Sequence, residues 1–176
     1  IGLGGYVQLH EADDTLAHLS EVLSLAPEFA QVLSATELAA LTGLTPRCSG
    51  IHYQRGGWLA PQAVCRALLA HPLISLQGEC GPLSLSPDQG GLWRAIDAQG
   101  TVLAEANTAV IATAHAVLQQ PELKWLPLTA IRGQTTHLPT PPQLAQLSVT
   151  LCDQGYLPPA RAGLHCLGAS FGPGDA

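Results

Sequence analysis

The sequence contains no methionine, and only 11% of its 176 residues are charged. Lys and Arg number 7 against 13 Asp and Glu, a net charge of −6. So few cations cannot supply the clustered basic face on which phosphate-backbone binding depends. No apolar run approaches the roughly 20 residues of a membrane-spanning helix, and no charged-then-apolar leader opens the chain; a soluble, cytoplasmic location is expected. The five cysteines, Cys48, Cys65, Cys80, Cys152 and Cys166, are odd in number and form no C-x-x-C pair. That argues against both a disulfide framework and a zinc knuckle. The seven histidines are scattered singly, without the spacing that places two imidazoles on one metal, so no metal is expected. Walker, nucleophile-elbow and H-E-x-x-H motifs are all missing. Gly2-Leu3-Gly4-Gly5 lacks the third glycine of a dinucleotide fingerprint and reads as a turn.

What is present is 47% hydrophobic residues with 18 Gly and 14 Pro, the composition of a folded, turn-rich chain. The low charge fits either a surface covered by further chain or an Ala- and Gln-rich surface. With Ile1 not a natural start and a loop-like Gly172 to Ala176 ending, the chain is expected to be a piece of a longer one.

Asp13 and Asp14 are placed to cap a helix carrying Leu16, Leu19, Val22 and Leu23 at helical spacing, ending before Pro27. Ser34 and Glu37 make a capping box for a second helix, and Gly43 is its natural stop. Ser49 to Tyr53 reads as extended. Gly56 and Gly57 break that pattern, and Pro61 opens a third helix with Val64, Leu68 and Leu69 on its apolar face. Leu73 to Leu76 reads as a short buried strand, which would complete a parallel crossover from Ser49. Leu92 to Ile96 and Thr101 to Leu103 form a hairpin through Asp97 to Gly100. Ala109 to Ala112 reads as a strand buried on both faces. After Gln120, prolines punctuate extended segments: Leu128 to Leu138, Val149 to Leu151, Tyr156 to Leu157, and Leu164 to Phe171. Neighbours His165 and Cys166 point to opposite faces of such a strand and cannot share a proton; Cys166 is expected to be a buried structural thiol.

Several glycine-marked phrases remain: Gly56-Gly57-Trp58-Leu59-Ala60-Pro61, Val110-Ile111-Ala112-Thr113-Ala114-His115, Arg132-Gly133-Gln134, and Gly155-Tyr156-Leu157-Pro158-Pro159 continuing to His165-Cys166-Leu167-Gly168-Ala169-Ser170-Phe171. In this order they resemble the flavin-dependent amine oxidoreductases of the D-amino-acid-oxidase-like superfamily, and more narrowly the oxidoreductase half of a bacterial bifunctional tRNA-modifying enzyme. The resemblance runs from about Gly5 to the end. It implies an α/β (α+β) fold in which a Rossmann-like FAD domain is interleaved with a substrate domain on a mixed or antiparallel sheet. Residues 1–47 and 121–176 would belong to the substrate domain and 48–120 to the FAD domain. The glycine fingerprint would precede this region and a last cofactor-contacting segment would follow it.

FAD is therefore the implied cofactor. Ala112, Thr113 and Ala114, with Ala114 where relatives carry glycine, and Glu79 and Cys80 after Gly78 are its implied contacts. The implied reaction is oxidation of a secondary amine, removing the carboxymethyl group of 5-carboxymethylaminomethyl-2-thiouridine at the tRNA wobble position. An adjoining methyltransferase domain using S-adenosyl-L-methionine is implied, with tRNA held by other surfaces. Arg132, Gln134, Tyr156 and Arg161 are the substrate-side candidates; no catalytic acid–base pair stands out, because the cofactor carries such chemistry. The alternatives are a glycine- or sarcosine-oxidase-like enzyme acting on free amino acids, and a non-catalytic binding domain. The isolated chain is expected neither to retain FAD nor to be active.

Overall fold

The structure, a computed structural model, describes residues 1–11, 13–120 and 123–173. They divide into two units, Ile1–Val64 with Ala130–Ala176, and Cys65–Thr129. The first is built on a five-stranded sheet in the order β10-β9-β1-β3-β2. Its strands are β1 (Tyr6–His10), β2 (Gln31–Leu33), β3 (Ser49–Tyr53), β9 (Thr150–Cys152) and β10 (Tyr156–Leu157). β1 runs antiparallel to β3 and parallel to β9, so the early and late segments share one sheet.

Side chains alternate across a strand, and each face of this sheet has its own helix. Val7 and the neighbouring Leu9, Leu33 and Leu151 face α2 (Ala35–Thr42), where Leu38, Leu147 and Val149 complete a buried cluster. Ile51, Val32 and Tyr53 face the other way, against Leu16, Leu19 and Leu23 of α1 (Asp13–Leu23). Tyr6 and Tyr53, paired across β1 and β3, stack with ring centroids 4.5 Å apart, and Phe29 meets Tyr53 edge-on. The capping expected of Asp13 and Asp14 falls on side chains outside the described residues.

The capping box forms as its sequence requires. The Ser34 hydroxyl accepts from the Glu37 N–H, and the Glu37 carboxylate accepts from the Ser34 N–H at 2.8 Å. Gly43 ends α2 in the left-handed region at φ 71°, its N–H donating to Ala39.

The same unit holds two short ribbons. β8 (Thr136–Pro139) pairs with β11 (Leu164–Leu167), and β7 (Ile131–Arg132) with β12 (Gly172–Pro173). The single strand expected over Leu128 to Leu138 is thus two, parted at residues 133–135.

The second unit carries a three-stranded antiparallel sheet of β4 (Ser84–Pro87), β5 (Trp93–Ile96) and β6 (Val102–Ala106). The expected hairpin is there, its turn closed by Asp97 Oδ1 accepting from the Gln99 and Thr101 N–H groups. β4 was not expected. Helix α3 (Pro61–Leu69) opens on Pro61 as predicted and straddles the boundary between units.

Three expectations fail here. Leu73 to Leu76 forms no strand, and Leu73 is 90% exposed. Ala109 to Ala112 forms none either, with Val110 86% exposed, and Leu68 on α3 is also largely exposed. The crossover from Ser49 is absent, since β3 has antiparallel neighbours on both sides. An apolar run gives a strand only where another strand supplies the ladder, and neither run has one among the described residues. Among the described residues, no helix is long and apolar enough to cross a membrane.

Leu38 is fully buried at the centre of its cluster. Leu38→Ala is expected to lower stability by about 3 kcal/mol, read from urea unfolding. Hydrogen bonds from the Ser34 hydroxyl and backbone hold the Glu37 carboxyl below the ordinary carboxylate range. A folded pKa below the unfolded one stabilises above the unfolded value and is lost as pH falls through the folded value. Ser34→Ala should therefore destabilise the chain most near neutrality, and its deficit against wild type should narrow in acid, leaving the part due to the hydroxyl's bond with the Glu37 N–H.

Candidate functional site

Between the ladders β7/β12 and β8/β11 the two chain segments part around residues 133–135 and 168–171, leaving a cleft of about 470 Å³ lined by Arg132, Gln134, Thr136, Leu167, Gly168, Ala169 and Ser170. The segments stay tethered across the gap. The Ser170 N–H donates to the Gln134 carbonyl at 3.1 Å, and the Gln134 N–H donates to Ser170 Oγ at 3.0 Å. Arg132 Nη2 donates to Gln134 Oε1 at 2.6 Å.

Tyr156 joins this region from β10. Its backbone exchanges hydrogen bonds with Gly168, its N–H donating at 2.5 Å and its carbonyl accepting at 3.2 Å. Its phenol lies where a Gly168 side chain would be, since a Cβ there would fall 2.5 Å from Tyr156 Oη and 2.9 Å from Thr135 Cγ2. Glycine at 168 is thus a matter of close approach. Of the sequence-predicted substrate-side residues, Arg132 and Gln134 share the cleft and Tyr156 packs on its rim. Arg161 lies apart, in a tight turn closed by hydrogen bonds with Leu164 at the far end of β11.

Sequence reasoning passed over Ser170, Gly168 and Thr136 as site residues. It also misassigned the burial of β11: His165 is fully buried and Cys166 only half-buried. The strand turns His165 toward Pro158, whose carbonyl lies 2.8 Å from Nδ1. A carbonyl only accepts, so Nδ1 carries the proton; the bond anchors the chain just after β10, where Pro158 and Pro159 lack donors of their own. Nε2 is buried without a partner among the described residues.

On the sheet itself, burial pushes the Cys152 thiol up and holds His52 below the usual imidazole range. Tyr6 is raised by burial first, then by neighbouring Tyr53 and Cys152. Cys152 is therefore a thiol near neutrality, unlike an activated nucleophile. All five cysteines are free, and the described residues contain no group of three His, Cys, Asp or Glu able to hold a metal.

The residues implied for the cofactor lie in the second unit. Thr113 closes an apolar groove of about 340 Å³ walled by Leu83, Leu85, Trp93, Val110 and Ile111. Among the described residues, the N–H groups of Ala109 to Thr113 donate no hydrogen bond, and Ala114 has a positive φ of 49°. Glu79, at φ 58°, and Cys80 lie outside the groove, in a loop where nothing stands within 4 Å of a Cβ built on Gly78 or Gly81. Unpaired backbone and minimal side chains fit the edge of a dinucleotide; the glycine turn that seats a pyrophosphate on a helix N-terminus is not part of this sequence.

An α/β chain with a mixed sheet under helices and a polar cleft among its later strands belongs to a defined class. The family model of FAD dependent oxidoreductases matches residues 3–176, and the chain belongs to that family. It is 37% identical over 150 residues to the tRNA 5-methylaminomethyl-2-thiouridine biosynthesis bifunctional protein MnmC of Chromobacterium violaceum, covering 85% of this chain and 23% of that protein. It is 38% identical over 155 residues to the MnmC of Stutzerimonas stutzeri, covering 88% and 23%. The chain thus spans under a quarter of these relatives. Among solved structures, iminodiacetate oxidase from Chelativorans sp. BNC1 superposes with a TM-score of 0.76 at 18% identity, covering 99% of this chain and 50% of its own. Glycine oxidase from Geobacillus kaustophilus gives 0.75 at 18%, covering 98% and 48%. These two carry the fold.

Gly168→Ala is expected to drive the Tyr156 ring off its seat and to cost about 1–3 kcal/mol, as over-packing does. Displaced Tyr156 ring resonances in the NMR spectrum, with those of Val7 and Val149 unchanged, would record it.

Proposed function

We propose that the protein carrying this chain oxidises a secondary amine bearing an N-carboxymethyl group, and that the substrate is 5-carboxymethylaminomethyl-2-thiouridine at the tRNA wobble position. The observation that carries the reading is the Arg132–Gln134–Ser170 cleft with Tyr156 at its rim, a polar recess in a chain of this family. The names of the similar proteins supply the chemistry. Iminodiacetate and glycine share one unit, a nitrogen bonded to a CH2 that carries a carboxylate. Removing the CH2–carboxylate part of that unit from a carboxymethylaminomethyl group, with the nitrogen retained, leaves an aminomethyl group, one methylation short of the methylaminomethyl in the name of the bifunctional relatives. An adjoining methyltransferase domain that uses S-adenosyl-L-methionine would complete the pair of reactions.

FAD, when bound, supplies the two-electron oxidation of the carbon–nitrogen bond. The Ala112 to Ala114 backbone, with Glu79 and Cys80, would hold it, the unit of residues 65–129 serving the cofactor and the unit around the five-stranded sheet the substrate. Arg132 and Gln134 orient the substrate in the cleft, and the Tyr156 ring packs on Gly168 at its rim. Holding the reacting carbon in one pose is the protein's part in such a step. With a net charge of −6, this chain leaves the tRNA phosphates to other surfaces. Free amino acid oxidation has weaker support, because the oxidases it would follow are similar at 18% identity against 37–38% for the tRNA-modifying relatives.

The test uses the full-length gene product with FAD and tRNA bearing the carboxymethylaminomethyl nucleoside. Nucleoside mass spectrometry should show the aminomethyl product, with glyoxylate released from the lost carboxymethyl group. Turnover of glycine with no change in the tRNA would reverse the assignment.

A further inference from the structure

We propose that His165 is a positioning residue for Tyr156: the imidazole N–H that it gives to the Pro158 carbonyl fixes where the Tyr156 ring stands at the rim of the cleft. The bond runs from Nδ1 to the carbonyl at 2.8 Å and joins β11 to the chain just beyond β10. Among the residues of β11 His165 is the fully buried one, so its ring is held in place by packing.

β10 needs such a hold because its own ladder is short. Tyr156 and Leu157 pair with Cys152 and Leu151 of β9. Pro158 and Pro159 follow, and neither has an N–H with which to carry the pairing on. What Pro158 does have is a carbonyl, and His165 takes it. A little further along the same stretch, Gly168 exchanges backbone hydrogen bonds with Tyr156. Residues 165–168 therefore grip residues 156–158 at both ends, by backbone at Tyr156 and by an imidazole at Pro158.

A segment held at one end rocks about it; held at two, its Cα positions are set. The Tyr156 side chain magnifies any rocking, because its hydroxyl stands at the far end of the ring. That hydroxyl lies 2.5 Å from where a Gly168 Cβ would be, and Gly168 lines the cleft with Arg132 and Gln134. A loosened Pro158 is thereby felt at the cleft, which His165 itself does not line.

Of the two ring nitrogens only Nδ1 takes part. It carries the proton, since a carbonyl only accepts, and Nε2 is buried with no partner among the described residues. The rest of the ring fills space. Donor and volume can therefore be removed separately: Asn keeps an N–H near the place of Nδ1 and leaves much of the ring's volume empty, whereas Leu fills the volume and offers no donor. That Tyr156 bears on the amine substrate rests on the proposed function; the grip on residues 156–158 does not.

The first measurement needs no substitution. NMR of the isotope-labelled 176-residue chain should show a solvent-protected His165 Nδ1–H and an unprotonated Nε2, and a ring with its proton on Nε2 alone overturns the proposal. Next, the Tyr156 ring resonances should follow the donor and not the stability. His165→Asn should lower the urea midpoint through its cavity yet keep those resonances near their wild-type positions, and His165→Leu should displace them, with unchanged Val7 and Val149 signals certifying the fold. Displacement in His165→Asn, or none in His165→Leu, overturns the proposal; if His165→Leu does not fold, the tautomer and His165→Asn decide. Finally, in the full-length gene product with FAD and the carboxymethylaminomethyl tRNA, His165→Leu should lower kcat/KM roughly tenfold, the scale of one buried carbonyl left bare, and His165→Asn should restore most of it. With Tyr156→Ala already present, His165→Leu should cost little more, because nothing is left to position; additive losses overturn the proposal. A full-length protein that leaves this tRNA unchanged removes the proposed function, and the NMR measurements still decide the grip.

Discussion

The double pairing of β1 is the constraint on which the unit around the five-stranded sheet depends. Residues 6–10 are hydrogen-bonded to β3 on one edge and to β9 on the other, which brings residues 150–152 to a strand formed at the start of the chain. Because side chains alternate, the same five residues also set both cores: Val7 fixes the face that receives α2, and Tyr6 stacks on Tyr53 on the face that receives α1. Shifting β1 by one residue would exchange these two sets. Within the sheet, β10 and its Tyr156 pair with β9, and Tyr156 also bridges to Gly168, so the position of the cleft's rim depends on both pairings.

The proposed tRNA substrate and the iminodiacetate and glycine in the names of the similar oxidases share one feature, a carboxylate separated from nitrogen by a single CH2. On the proposed function, the chain supplies recognition and the flavin supplies reactivity. It presents an arginine bonded to a glutamine, a serine that accepts a backbone N–H, and a half-buried Cys152 thiol and His52 imidazole whose shifts come from burial. That division of labour is the one expected when a bound flavin performs the oxidation.

Local signals were legible in the sequence, because their physics is complete within a few residues. The Ser34–Glu37 box, Gly43, Pro61 and the Asp97–Gly100 turn all formed as read. Runs whose meaning depends on a distant partner were not. Leu73 to Leu76 and Ala109 to Ala112 have strand composition, yet composition says that a segment is able to be buried without saying which ladder will receive it. Leu128 to Leu138 shows a related limit, since nothing in its alternation marks the break at residues 133–135. At the site, Arg132, Gln134 and Tyr156 could be named from the family phrases, whereas Ser170 and Gly168 could not be singled out from the run His165 to Phe171. Their roles arise from tethers spanning 36 residues, Gln134 to Ser170, and from a glycine whose missing Cβ admits a phenol from another strand.

The unit of residues 65–129 differs from its companion in a way that bears on motion. Every buried side chain among the described residues lies in the other unit, so β4 to β6 are held by their ladder, their turns and the Arg94 contacts to Asp88 and Glu105. Local opening free energy tracks buried apolar contact. This unit therefore occupies the low end of the chain's opening spectrum: its loop amides at 107–113 exchange with solvent without waiting for any cooperative event, while those of β1 and β3 exchange only when the five-stranded sheet itself comes apart. Whatever settles on the Val110–Ile111 groove must order a backbone that is otherwise free to fluctuate, and part of its contact free energy is lost to the entropy of doing so.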